Sequence, residues 1–443
     1  MIMLNCFNFA FFIFLSIHLL SCQESSSISS DGGKFCKTSS ADELSECRSG
    51  KRPIVFVHGF MGGGDNFSNM IQRFLENGYC QQDIIIFDWN TSNSDVKSAL
   101  PELQEKINKV LEERKERSVD LVCHSLGGAL CSLYLQENKD KVAHYVHAGS
   151  FRNVSFPAGV SVMALWGGSD TLVGQGEIRG AKNVVIKGAD HLEVVSSAEA
   201  FRYVFEFFND GLTPQKIDIQ DSPDIYLSGK VISLAENEPI TGVAIQIYEV
   251  DKNTGFRLSQ NPVACFITDS QGYWGVFKAE KEKYYEFYFE YDGVKYHYYR
   301  QPFLRSNFTV YMRTLGRGEG FIGNIIKSQA KFSDNYSIVV LFSSNKAVYL
   351  GRDKVFIDDT PIPDESIIPE QTTVAFFFRD IDEDGKTSFK RGAFSSLPLL
   401  EEIDYFIGTD LRRSVKLELN GKKLFVPNWK SKTEGISIAV FDY

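Results

Sequence analysis

Along residues 52 to about 211, short apolar runs alternate with amphipathic stretches. "PIVFVHG", "DIIIFDW", "VDLVCHS", "KVAHYVHAG", "SVMALWGG" and "NVVIKG" read as strands, while "NFSNMIQRFLENG", "ALPELQEKINKVLEERKE", "LGGALCSLYLQEN" and "SAEAFRYVFEFF" space their apolar residues as helices do. Unbroken apolar runs, bounded by turns and separated by helices, predict a parallel sheet covered on both faces, a compact α/β domain over residues 51–212. From residue 213 the helical period stops. Aromatic-rich alternation at period two takes over in "IYLSGKVISL", "GVAIQIYEV" and "YYEFYFEYDGVKYHYYR". With Gly, Asn, Asp and Pro turns between such runs, this predicts an all-β C-terminal region: a sandwich over 213–315 and a second strand-rich domain over 316–443, or one barrel completed by both.

The first residues follow neither pattern. Residues 9–20 are apolar but too few for a membrane span of roughly 20 residues, so residues 1–22 read as a targeting segment. "LLSC" resembles a bacterial lipoprotein box, which implies cleavage before Cys22 and a lipid on its sulfur, although the preceding region lacks Lys and Arg. An ordinary cleaved signal is the alternative. Gln23 resembles outer-membrane sorting, so the expected place is extracytoplasmic, lipid-anchored or secreted. Residues 23–50 are Ser-rich, polar and aperiodic, a flexible tether.

Composition narrows the partners. A chain of 443 residues at 43% hydrophobic exceeds one ordinary core. The net charge of −10 repels phosphate backbones, which excludes nucleic acid as the expected partner. In an oxidising compartment Cys36 and Cys47 can close a short loop worth at most ~3 kcal/mol, or stay free. Cys80, Cys123, Cys131 and Cys265 show no paired spacing.

On a parallel sheet, ligands bind at the carboxyl ends of the strands, so catalytic groups should lie just after apolar runs. Ser125 does, following "VDLVCH" and opening a helix at Leu126, Gly127 and Gly128; its bland alternative is an N-cap serine. A serine hydroxyl becomes a nucleophile when an imidazole takes its proton and a carboxylate orients that imidazole. Asp170 follows "SVMALWGGS" and His191 follows "NVVIKGAD", in the order serine, acid, histidine that this sheet type uses. Asp190 competes as the acid but reads as a solvated loop residue, and His144 and His147, inside an apolar run, read as structural. The Gly-rich "VHGFMGG" ends the first strand, and the backbone N–H groups of Phe60 and Leu126 are the expected oxyanion hole. Cys123, two residues before Ser125, reads as a compact apolar side chain, with the close contact left to Gly127.

Jointly, "VHGF", "HSLGG", "GGSDTLV" and "GADH" resemble the small secreted bacterial triacylglycerol lipases and carboxylesterases of the α/β-hydrolase fold. The resemblance implies a serine ester hydrolase acting on lipid or other acyl esters through an acyl-enzyme, with no cofactor required. A phospholipase or a polyester depolymerase would share the chemistry, and a non-catalytic surface-binding lipoprotein is the reading from another class. The stretch from "SGKVISL" to "TDSQGYWGVF" resembles the transthyretin-like or carboxypeptidase-regulatory-like sandwich, and the β region of some such lipases is thought to engage lipid. One acidic motif stands apart. In "RDIDEDGKTSF", Asp380, Asp382, Asp384 and Gly385 match positions 1, 3, 5 and 6 of a calcium loop, but position 12 is Arg391 rather than Glu, which favours a plain acidic turn over calcium.

Overall fold

β-branched runs fold as the strands of a six-stranded parallel sheet. In the computed structural model, which describes residues 36–38, 47–93, 95–315, 325–326, 328–349, 351–364 and 372–442, a two-residue strand, β1 (Lys37–Thr38), precedes them. The sheet comprises β2 (Ile54–Val57), β3 (Ile84–Phe87), β4 (Val119–His124), β5 (Val142–Ala148), β6 (Ser161–Gly167) and β7 (Lys182–Ile186), in spatial order β3-β2-β4-β5-β6-β7. Both faces are covered. Ile54 and Phe56 turn towards α1 (Ser68–Glu76) and α5 (Ala198–Phe208), while Val55 and Val57 turn towards α2 (Leu100–Arg114) and α3 (Leu126–Asn138). A short helix, α4 (Glu193–Ser196), precedes α5, whose start is capped by Ser197 accepting the Ala200 N–H. The all-parallel, two-faced burial explains why these strands read as continuous apolar runs.

The remaining strands are β8 (Ile225–Ser233), β9 (Ala244–Val250), β10 (Ala264–Ile267), β11 (Tyr273–Ala279), β12 (Tyr284–Tyr291), β13 (Val294–Arg300), β14 (Met312–Thr314), β15 (Val339–Ser343), β16 (Val355–Ile357), β17 (Thr360–Pro361), β18 (Thr373–Arg379), β19 (Leu399–Asp404), β20 (Ser414–Leu419), β21 (Lys422–Pro427) and β22 (Ile436–Phe441). Nine of the strands form one sheet, ordered β1-β10-β9-β12-β13-β22-β15-β18-β19. This sheet crosses the division expected at residue 315: β22 lies between β13 and β15, pairing parallel with both. Its alternation serves two cores. Val340, Phe377 and Ile438 pack with the three-stranded sheet β11-β8-β14, while Val339, Leu341, Phe376 and Phe378 on the other face pack with the four-stranded sheet β17-β16-β20-β21. The β region is therefore one layered body rather than two separate domains.

The cysteines also pair differently from expectation. Cys36 bonds Cys265, Cys47 bonds Cys80, and Cys123 bonds Cys131, so Cys36 and Cys47 do not close a loop on each other. Cys22 lies outside the described residues.

Candidate active site

Ser125 stands on the turn between β4 and α3 with φ 52° and ψ −122°, a conformation unusual for a residue with a Cβ. The turn is held from all sides: the Ser125 N–H donates to the Ala148 carbonyl at 3.0 Å, and its own carbonyl accepts from the Gly128 N–H at 2.9 Å and the Ser150 hydroxyl at 2.6 Å. Two glycines make room for it. A Cβ on Gly127 would lie 2.6 Å from the carbonyl oxygens of Val57 and His58, and one on Gly59 would lie 2.6 Å from the Ser125 Cβ. Cys123 is buried as expected, but as half of a disulfide that ties the end of β4 to α3 rather than as a free thiol.

Asp170 and His191 meet at the carboxyl ends of β6 and β7. His191 Nδ1 and Asp170 Oδ2 are 2.8 Å apart, and Asp170 Oδ1 accepts the Leu172 and Val173 N–H groups at 2.9 and 3.1 Å. Burial opposes charge on Asp170, yet the hydrogen bond and charge of His191 together with those two N–H groups outweigh it and hold the carboxyl below its usual range. With Nδ1 committed to Asp170, Nε2 is the ring nitrogen left for chemistry. A Cβ on Gly149 would lie 3.5 Å from His191 Nδ1 and 3.6 Å from Asp170 Oδ2, so the end of β5 packs behind the pair.

His124, next to Ser125, packs its ring 4.6 Å from that of His191 and donates from Nε2 to the His191 carbonyl at 2.7 Å. Burial and the neighbouring His191 push its pKa down to about 3, so it stays neutral and positions the His191 backbone. His144 and His147 have structural partners: Asp120 at 2.8 Å for the first, the Tyr145 hydroxyl at 2.7 Å and the Phe151 carbonyl at 2.9 Å for the second.

The Gly-rich turn is braced by His58. Its Nδ1–H donates to the Gly59 carbonyl at 2.8 Å, and its Nε2 accepts the Trp89 N–H at 3.2 Å; burial lowers its pKa, consistent with a neutral ring in this role. The Met61 N–H donates to the Thr91 hydroxyl. Among the described residues the Phe60 N–H has no hydrogen-bond acceptor, and the Leu126 N–H belongs to the first turn of α3, where no helical carbonyl is available.

Sequence reasoning missed how the β region holds these loops. Asp190 is buried, not solvated: Oδ1 accepts the Leu192 and Glu193 N–H groups, while Oδ2 accepts the Ala347 N–H at 3.1 Å and Arg352 at 3.0 Å. Burial and the Glu193 carboxylate push its pKa up to about 7 against the pull of Arg352. On the other side of the site, Arg313 clasps Asp65 with two bonds of 2.6 and 2.7 Å, and Lys230 and the Tyr311 hydroxyl reach Asp88. Two carboxylates just beyond strands β2 and β3 were the available signal, but their partners lie 248 and 142 positions away. The third acidic group, Asp380, Asp382 and Asp384, brings its carboxylate oxygens within 4.8 Å of one another on the connection from β18 to β19.

Comparison with known proteins agrees with this architecture. Residues 52–180 match the family model of the alpha/beta hydrolase fold, and residues 223–315 match the model of the lipase C-terminal domain. Similar solved structures include an alpha/beta hydrolase enzyme from the metagenome of sediments of the Mar Chica lagoon, Morocco (19% identity, 36% of this chain and 91% of that one, TM-score 0.31). Another is a lipase of Bacillus licheniformis in mature form (15% identity, 38% of this chain and 96% of that one, TM-score 0.33). Fold and family match together define an α/β-hydrolase. More particularly, residues 52–180 resemble the α/β-hydrolases and residues 223–315 the C-terminal domain of lipases, so the chain is similar to α/β-hydrolase lipases that carry a C-terminal domain.

Proposed function

We propose that the chain is a serine ester hydrolase, a lipase or carboxylesterase, with Ser125, His191 and Asp170 as its catalytic triad. The observation that carries this reading is the Asp170–His191 hydrogen bond at the carboxyl ends of β6 and β7, on the same edge of the parallel sheet as the half-buried, strained Ser125 turn that follows β4. His191 Nε2 takes the Ser125 hydroxyl proton as Oγ attacks the ester carbonyl; Asp170 holds the ring and balances the charge it gains. The tetrahedral oxyanion is met by the Phe60 and Leu126 N–H groups, the latter helped by the positive end of α3. As the intermediate collapses, His191 returns the proton to the departing alcohol and Ser125 keeps the acyl group. Water, deprotonated by His191, then attacks the acyl-enzyme, and carboxylate and free serine result. No metal or organic cofactor enters these steps.

The matched lipase C-terminal domain supports acyl esters of lipids as the substrate class, with phospholipids and polyesters open to the same chemistry. The β region serves in this reading as a brace on both site loops, through Arg352 on the His191 side and Arg313 on the Phe60 side, and as a candidate lipid- or polymer-facing body. Anchoring of the mature chain through a lipid on Cys22, at an outer membrane, rests on the "LLSC" motif. Hydrolysis of p-nitrophenyl esters from acetate to palmitate by protein lacking residues 1–22 tests the proposal. Turnover with a chain-length optimum is expected; no turnover on any ester, with the protein folded, would leave the surface-binding reading in its place.

A further inference from the structure

We propose that Asp380, Asp382 and Asp384 form a calcium site on the turn that leaves β18, independent of the ester chemistry. Three carboxylate oxygens within 4.8 Å of one another suit a single ion held at ~2.3–2.6 Å from each. Asp380 carries the argument. It is only 2% exposed; Oδ2 accepts the Gly385 N–H at 3.0 Å, but Oδ1 is buried without a hydrogen-bond partner. A buried carboxylate oxygen left bare is costly, and a cation shared with Asp382 and Asp384 is the partner its position calls for.

The surrounding charges supply no substitute. Arg379 is committed to Glu402 at 2.6 Å, and Arg391, at the position where a calcium loop places its bidentate Glu, faces Glu401 instead. Lys386 stands 4.0 Å from Asp384 with its side chain 80% exposed, and Lys331 pairs with Glu383 on the surface. Asp404 adds negative charge beside the turn, but its oxygens are already used: Oδ1 accepts the Ile381 N–H, and Oδ2 accepts both the N–H and the hydroxyl of Ser388. Asp404 thus fastens the loop to β19, leaving the other three carboxylates facing one another. Hard oxygen donors on an irregular loop favour calcium over magnesium, which demands a tighter octahedron. Without a Glu at position 12, affinity should fall in the weak range of extracellular modules, a Kd of about 0.1–1 mM. The sequence alone favoured a plain acidic turn; the buried bare oxygen of Asp380 is what reverses that reading.

The test is isothermal titration of the full chain, freed of metal by chelation, with calcium chloride alone. Saturable heat at one site is expected, with magnesium binding at least about tenfold more weakly. Asp382→Asn with Asp384→Asn, both on exposed side chains, should keep the circular dichroism of the native protein and weaken binding at least about tenfold. Absence of saturable heat up to about 10 mM calcium, equal binding by the variant, or magnesium binding as tight as calcium would each overturn the assignment.

Discussion

Replacing Asp65 with Asn should destabilise the whole chain by about 3–5 kcal/mol, because it strands a buried guanidinium. Arg313 and Asp65 side chains are 8% and 1% exposed, and both Arg313 bonds to side chains go to Asp65; Nε has no partner. An asparagine keeps one acceptor oxygen but turns an amide donor towards the second arm and removes the only carboxylate bonded to Arg313 among the described residues. Asp88, whose charge also acts on Arg313, is already engaged by Lys230 and Tyr311. Guanidinium chloride unfolding, followed by tryptophan fluorescence and by loss of ester turnover, measures the cost. Trp89 and Trp166 report on the hydrolase sheet, and Trp274 and Trp429 on the β region. Both signals should shift together, since the pair ties the two. Adding Arg313→Met to Asp65→Asn removes the orphaned charge and should recover most of the loss, as apolar replacements of buried pairs commonly do. A loss below about 1 kcal/mol, or a double variant as unstable as the single, would refute the reasoning.

Ser125→Ala, His191→Ala and Asp170→Asn should each lower p-nitrophenyl ester turnover by several orders of magnitude while the protein still folds, whereas Asp190→Asn should chiefly lower stability. For Asp88, burial opposes charge, but Lys230 outweighs it and pulls the pKa from 3.8 down to about 2. A depressed folded pKa gives stability that is full above the unfolded value and lost as pH falls through the folded one. The gap in urea stability between wild type and Asp88→Asn attributable to ionisation, about 2 kcal/mol at pH 6, should therefore shrink by about half at pH 3; a constant gap would contradict it. Changing Cys123 and Cys131 together to Ala should cost about 2–3 kcal/mol by freeing a short loop in the unfolded chain, while esterase activity of the folded protein is kept. Only β7 lies between Asp170 and His191 among the regular elements, so short-chain esters should give an ordinary saturating curve; an abrupt rise at the solubility limit would show a cover over the site.

What the sequence revealed was whatever depends on local order. Ser125, Asp170 and His191 were legible because each ends an apolar run, and the strand ends of a parallel sheet gather on one edge. Gly127 was legible as the tight contact of the turn. Asp190 was misread because the groups that bury it, Ala347 and Arg352, lie 157 and 162 positions away. The same distance hid the Cys36–Cys265 bond, whose ends are 229 positions apart. Alternation marked β13, β15 and β22 as strands, but period two says nothing about which neighbour a strand chooses. The nine-stranded sheet crosses residue 315 there, since the last strand inserts between one from each side.

The Cys36–Cys265 bond changes what a leash from Cys22 would pull on. Counted to Cys47, the next bonded cysteine, the chain could extend to roughly 90 Å; counted to Cys36, it spans at most roughly 50 Å. Tension on an anchored chain would enter at Cys265 on β10, next to the edge strand β1 of the nine-stranded sheet, before it reached the hydrolase sheet. With the anchoring proposed at Cys22, the bond would make the β region the mooring. In that anchored state, losing this one link would move the first disulfide-tied point of the chain to Cys47, bonded to Cys80 of the hydrolase domain.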